Sequence, residues 1–95
     1  MYDKIGWYKA RYRKVYSDGR VVLDIYLGFD IWLYNQTIKL SKISKKIPIK
    51  AVRAKIKNAE LFIQILEDEH IGDLWYEEHS EYINLNLGII TKDIS

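Results

Sequence analysis

Carboxylates and histidines crowd into one short stretch of the chain. Glu67, Asp68, Glu69, His70 and Asp73 fall close together, and Glu77, Glu78, His79 and Glu81 follow soon after. Imidazole and carboxylate together suit zinc. The separation of His70 from His79 matches no ligand motif, however, and a solvated acidic hairpin accounts for the same residues, so no metal and no cofactor are expected. There are no cysteines, which excludes a disulfide framework and a cysteine-based zinc site. No Gly-rich phosphate loop and no defensible Ser-His-Asp arrangement is present. Such a carboxylate cluster repels phosphate and attracts basic surfaces. Glu67, Asp68, Glu69, Asp73, Glu77, Glu78 and Glu81 are therefore the candidate residues for binding a protein.

The opposite chemistry fills the first part of the chain. Residues 1–57 hold 14 Lys/Arg against 4 Asp/Glu, a net of +10, whereas residues 58–95 hold 1 against 9, a net of −8. Such asymmetry points to an electrostatic partner, unless the two halves neutralise each other across the fold. Trp7, Tyr8, Tyr12, Tyr16, Tyr26, Trp32 and Tyr34 are interleaved with the cations. Aromatics in a basic groove bind single strands by stacking on bases, although aromatics also favour strands for packing alone. Lys9, Arg11, Arg13, Lys39, Lys42, Lys45 and Lys46 are the candidate residues for this alternative.

These residues need elements to position them. At 95 residues one domain is expected. Trp7 to Tyr16 reads as a strand and Ser17-Asp18-Gly19-Arg20 as a turn. Val21, Leu23, Ile25 and Leu27 then alternate on one face. Gly28-Phe29-Asp30 interrupts, and Ile31 to Leu40 resumes as a third strand. Ser41 to Ile47 is a polar, basic loop. Pro48 suits the first turn of a helix, and Ile49, Val52, Ile56 and Ala59 recur at helical spacing, which predicts a helix over residues 48–58. Leu61, Ile63 and Ile65 alternate as a fourth strand, residues 67–73 form an acidic turn, and Leu74 to Glu78 is a fifth strand, with Glu81 in the turn beyond. Ile83 to Ile90 fits either a strand or a short helix capped by Asn84. Three strands, a helix and two strands is the order of a five-stranded Greek-key barrel, the OB-fold. The fold class expected is thus mainly β, a barrel with one principal helix.

The run Val21-Val22-Leu23-Asp24-Ile25-Tyr26-Leu27-Gly28-Phe29-Asp30-Ile31-Trp32-Leu33 resembles staphylococcal-nuclease-like proteins, especially phage-encoded ones. In those, a D-G-D-T turn leads into a strand, then L-G-F-x-I, then a strand ending in R-L-x-G-I-D-A-P-E. Asn35 to Ile43 is similar to that second segment, and Ile83 to Leu87 to the opening of the family's last helix. The resemblance covers roughly residues 8–90 and is specific around residues 21–43. It implies an OB-fold and calcium-dependent cleavage of nucleic acid, in which carboxylates hold the metal and arginines clamp the phosphate. Carried over, those roles fall vacant. Gly19 stands at the first metal aspartate and Ser44 at the second. Ile47 stands at the catalytic glutamate, Lys39 at the first arginine without its bidentate fork, and Asp73, a charge reversal, at the second.

The resemblance with its vacancies implies a catalytically inactive binding module and not an enzyme, most naturally one docking on a larger protein; a phage-encoded inhibitor of a host enzyme or defence system would fit. Nucleic-acid binding through the basic half is the alternative, and a homodimer is possible given the aromatics. Heavy use of Ile, Lys and Tyr agrees with an AT-rich genome. Trp7 and Tyr8 sit among Asp3, Lys4 and Lys9, unlike a signal peptide, and no apolar stretch is long enough to span a membrane, so a cytoplasmic protein without membrane attachment is expected.

Overall fold

The structure is a computed structural model that describes residues 6–43, 45–66 and 71–91. It contains β1 (Trp7–Val15), β2 (Arg20–Gly28), β3 (Ile31–Leu40), α1 (Ile49–Ile56), β4 (Leu61–Ile65), β5 (Ile71–Glu78), β6 (Glu81–Asn84) and α2 (Leu85–Ile90). The strands lie in the order β3-β2-β1-β4-β5-β6, and β3 also pairs with β5. That last pairing, parallel and limited to Lys39 with Ile71 and Leu40 with Gly72, closes five strands into the barrel of an OB-like fold. Closure is tight at Gly72, where a Cβ would lie 2.7 Å from the Gln64 carbonyl oxygen.

Val21, Leu23 and Ile25 point inward, as their alternation predicts, and join Ala10, Ile38, Leu40, Leu61, Ile63 and Leu74 in the core. Val52 and Ile56 bring α1 against it. Leu27, expected inward, is 44% exposed; Tyr26 and Gly28 pair with the adjacent Trp32 and Ile31, so Leu27 is the extra residue of a bulge that breaks the alternation. The helix is shorter than predicted. Pro48 is its extended N-cap and not a first-turn residue, and Lys57 is the C-cap, so Ala59 packs on the core from outside the helix. Strand β5 begins at Ile71, which places Asp73 in a strand and not in the acidic turn. Glu81 likewise starts a strand, β6, that pairs with β5. Both readings of Ile83 to Ile90 hold in part: the chain is a strand up to Asn84, whose side chain then accepts from the Leu87 N–H, 3.1 Å away, and caps α2. Among the described residues no helix is long and apolar enough to cross a membrane.

Candidate nucleic-acid interface on the outer barrel face

Strand alternation that sends Tyr8, Ala10 and Tyr12 toward the core turns Lys9 and Arg11 to the outside. The registers then align a row across the sheet. Trp32 pairs with Tyr26, Tyr26 with Lys9, Lys9 with Phe62, and Phe62 with Trp75. Residues paired across strands share a face, so these side chains form one line over the outer surface. The Tyr26 and Trp32 rings lie 4.9 Å apart, and Arg11 stacks on Trp32 with its guanidinium carbon 4.0 Å from the ring centroid. Nearer the β1–β2 turn, Tyr16 has two cations over its ring, Lys14 at 4.8 Å and Arg20 at 4.7 Å. Beyond Lys9 the row continues as Trp7 on Trp75 and Phe62 on Tyr82, with ring centroids 5.3 Å apart in each pair.

A buried carboxylate organises the basic side of this surface. Asp24 is fully buried and sits between two bulges. Tyr12 and Lys14 pair with the adjacent Leu23 and Val22, which leaves Arg13 as the extra residue of β1. Leu23 and Ile25 pair with Gln36 and Leu33, which sets Tyr34 and Asn35 of β3 against Asp24 alone. Bulges re-aim side chains. Here they direct the Arg13 Nε to Asp24 Oδ2 at 2.7 Å, with Arg11 Nη2 at 3.5 Å. Oδ1 accepts the Asn35 N–H at 3.0 Å, and Asn35 has φ 56°. The Arg13 hydrogen bond holds the Asp24 carboxyl below the usual aspartate range against the opposing effect of burial, helped by the Asn35 N–H and by the charges of Arg13 and Arg11. Both guanidiniums remain about half exposed, so they are fixed in place yet open to a ligand.

The structure sorts the other residues singled out from sequence. Lys42, Lys45 and Lys46 are exposed on the β3–α1 loop. Lys39 is not free to clamp phosphate: its ammonium donates to the carbonyl oxygens of Asp18 and of Ile43, the latter at 2.9 Å, and so ties two loops together. Asp73 is occupied as well, accepting from Asn86 at 3.1 Å and from Asn84 at 3.3 Å. Glu78 pairs with Lys55 at 3.3 Å. That contact is the only ion pair among the described residues that joins the two oppositely charged halves. Glu77 and Glu81 are exposed. Glu67, Asp68, Glu69, His70 and Ser44 lie outside the described residues.

The positions matched to nuclease roles sit in packed surroundings. Gly19 has φ 93°, and a Cβ there would meet Lys39 Nζ at 2.7 Å and Ile43 Cγ2 at 2.9 Å, so an aspartate would displace both. Ile47 is a core residue. Lys14, Arg20, Phe62 and Trp75 were not singled out from sequence as site residues. Lys14 and Arg20 meet Tyr16 within one hairpin, whereas the registers that bring in Phe62 and Trp75 join segments far apart in the chain, which local pattern does not reveal. Comparison with protein-family models, with curated proteins and with solved structures gives no match.

Proposed function

We propose that this chain is a non-catalytic OB-like module that binds single-stranded nucleic acid across the outer face of β1–β3. One observation carries the reading: Arg11 stacked on Trp32, itself against Tyr26, on an exposed face lined by Lys9 and Arg13. Aromatic rings and arginine planes stack on unpaired bases while neighbouring cations follow the phosphates. OB barrels present this strand-2 and strand-3 face, with the β1–β2 loop, to oligonucleotides, and here that loop brings Arg20 and Tyr16. The absence of catalysis rests on the resemblance to nucleases and on the residues at the matched roles, Gly19, Ile47, Lys39 and Asp73, none of which supplies the chemistry required. In fluorescence anisotropy with a labelled single-stranded oligonucleotide, Trp32→Ala is expected to weaken binding by about tenfold. Lys9→Ala is expected to weaken all sequences alike and to lower the salt slope by about one. A wild-type protein that ignores single-stranded DNA and RNA even at low salt rules the reading out.

A second reading, docking on a larger protein through the acidic end, is favoured by one feature. Glu78 and Glu81 face each other across β5 and β6, a destabilising like-charge pairing that Lys55, 3.3 Å from Glu78, offsets on one member alone among the described residues. A basic partner surface would relieve that repulsion and speed encounter. Replacing Glu77 and Glu81 with Gln is expected to leave the melting temperature level or raised and to slow association with a host protein at low salt. Unchanged association with a lowered melting temperature would remove this reading.

A further inference from the structure

The outer face changes character between β1 and β4. Strands β1 to β3 carry the exposed cations Lys9, Arg11, Arg13, Lys14 and Arg20. The one carboxylate within those strands, Asp24, is buried and taken up by Arg11 and Arg13. Strands β4, β5 and β6 hold no Lys or Arg. Asp73 and Glu77 flank Trp75 on its own face of β5, since alternate residues of a strand share a face. Among the described residues no cation pairs with either of them.

The aromatic surface does not stop at this boundary. Lys9 is the last cation of the cross-strand row, and Phe62 pairs with it on β4, followed by Trp75 on β5. Trp7 lies against Trp75 and Phe62 against Tyr82. Phe62 and Trp75 are partly exposed and Tyr82 is 46% exposed. The Tyr82 hydroxyl donates to the Glu60 carboxylate at 2.7 Å, which fixes the ring and adds a further negative charge beside it.

A nucleotide inside a strand has a phosphate on each side of its base. On β1 to β3 such units meet rings and cations together. Past Lys9 a base still finds rings to stack on, but a phosphate finds only carboxylates, which repel it. A nucleoside at the end of a strand has one phosphate fewer and a free hydroxyl in its place. Its remaining phosphate can stay at Lys9, and the hydroxyl can donate to an ionised carboxylate, which only accepts. Glu77 is placed to receive it, being exposed, two residues along β5 from Trp75 and paired with Tyr82.

We propose that Phe62, Trp75 and Tyr82 hold the terminal nucleoside of a single strand whose neighbouring nucleotides lie on the Arg11–Trp32 platform, and that Glu77 admits a terminal hydroxyl and rejects a terminal phosphate. The inference rests on the nucleic-acid reading above and makes the module one that binds strand ends. Both the 3′ and the 5′ end can carry this chemistry, and the test separates them.

The test compares four forms of one oligothymidylate, longer than the ~16 nucleotides that an OB barrel covers, in competition anisotropy. The forms are linear with two hydroxyl ends, linear with a 3′-phosphate, linear with a 5′-phosphate, and closed into a circle. The hydroxyl-ended form is expected to bind about tenfold tighter than the circle, the scale of one stacked base. A phosphate on the recognised end should remove that advantage, and a phosphate on the other end should leave it. Phe62→Ala should bring the hydroxyl-ended form down to the level of the circle without changing the circle, whereas Trp32→Ala should weaken both. Glu77→Gln, a substitution on the surface, should bind the phosphorylated and hydroxyl ends alike; it keeps the test valid if Phe62→Ala fails to fold. Equal wild-type affinity for circle and linear forms overturns the end site and leaves the platform reading standing. So does a Glu77→Gln variant that still rejects the terminal phosphate as the wild type does. A wild type that binds none of the four forms removes the platform reading, and the end site with it.

Discussion

Asp24→Ala is expected to lower the melting temperature by about 10–20 °C, corresponding to a loss of about 2–3 kcal/mol. The carboxylate is fully buried and takes the Arg13 guanidinium on one oxygen and the Asn35 N–H on the other. Deleting it leaves the Asn35 amide without its acceptor at the bulge. The two arginines regain water easily because they are half exposed, which keeps the cost below that of stranding a fully buried charge. The pH dependence follows from the direction of the shift. The Asp24 carboxyl lies lower in the folded protein than in the unfolded chain, chiefly through the Arg13 hydrogen bond. Its contribution is therefore complete above the ordinary aspartate value of about 4 and is lost as pH falls through the folded value. Asp24→Asn keeps the shape and an acceptor for Asn35 but cannot titrate. Thermal melts from neutral to strongly acidic pH should show the variant losing less stability than the wild type over that interval. Equal losses would mean that other carboxylates, such as Asp18 beside Arg20, carry the acid sensitivity. Nucleic-acid affinity should fall with Asp24→Ala as well, since Arg11 and Arg13 lose the group that positions them.

Asp24 also shows where the sequence stops being readable. In the run from Val21 to Leu27 it occupies an outward position by strand alternation, and an aspartate there reads as solvated. Its burial depends on bulges at Arg13 and at Tyr34–Asn35, and neither place carries the glycine that marks many bulges. The meander itself was legible because Ser17 to Arg20 and Gly28 to Asp30 are built from turn-forming residues between alternating runs. The β5–β6 turn was not: His79 and Ser80 both adopt positive φ without the Asn-Gly or Asp-Gly signature that such a turn favours, and β6 was missed with it. The basic and aromatic character of the first half was plain in composition. Which side chains meet was not, because the cross-strand row is set by registers linking β1 to β4 and β4 to β5. Lys39 illustrates the difference. By type it reads as a cation available to nucleic acid, yet its ammonium is held by the carbonyls of Asp18 and Ile43, the first of which only the β2–β3 pairing brings within reach.

The largest effect is expected at Asn86, which no sequence pattern marks. This buried side chain on α2 donates to the Ser41 carbonyl at 2.9 Å, the Asp73 carboxylate at 3.1 Å and the Gly72 carbonyl at 3.3 Å, and its oxygen accepts the Leu74 N–H at 3.1 Å. Ser41 follows β3, and Gly72 to Leu74 belong to β5. Asn86 therefore bridges the two strands whose pairing closes the barrel. That pairing is short: two residue pairs and the Ser41 N–H to Gly72 carbonyl bond of 2.9 Å. Asn86→Ala leaves the Ser41 carbonyl and the Leu74 N–H buried with lost partners, each costing about 1–3 kcal/mol, for a total of about 3–5 kcal/mol. A domain of this length has roughly 5–14 kcal/mol in all, so the variant is expected to be partly unfolded at physiological temperature. Asn86→Asp should be no better, since it replaces the donor with a second carboxylate against Asp73. In hydrogen exchange under native conditions, the amides of Ser41 and Leu74, which donate to the Gly72 carbonyl and to Asn86, should lose protection first, while those pairing β1 with β2 keep more of theirs. If Asn86→Ala instead melts within a few degrees of the wild type, or if protection falls evenly over all strands, closure is held by core packing of Leu40, Leu74 and Leu85 and not by this amide.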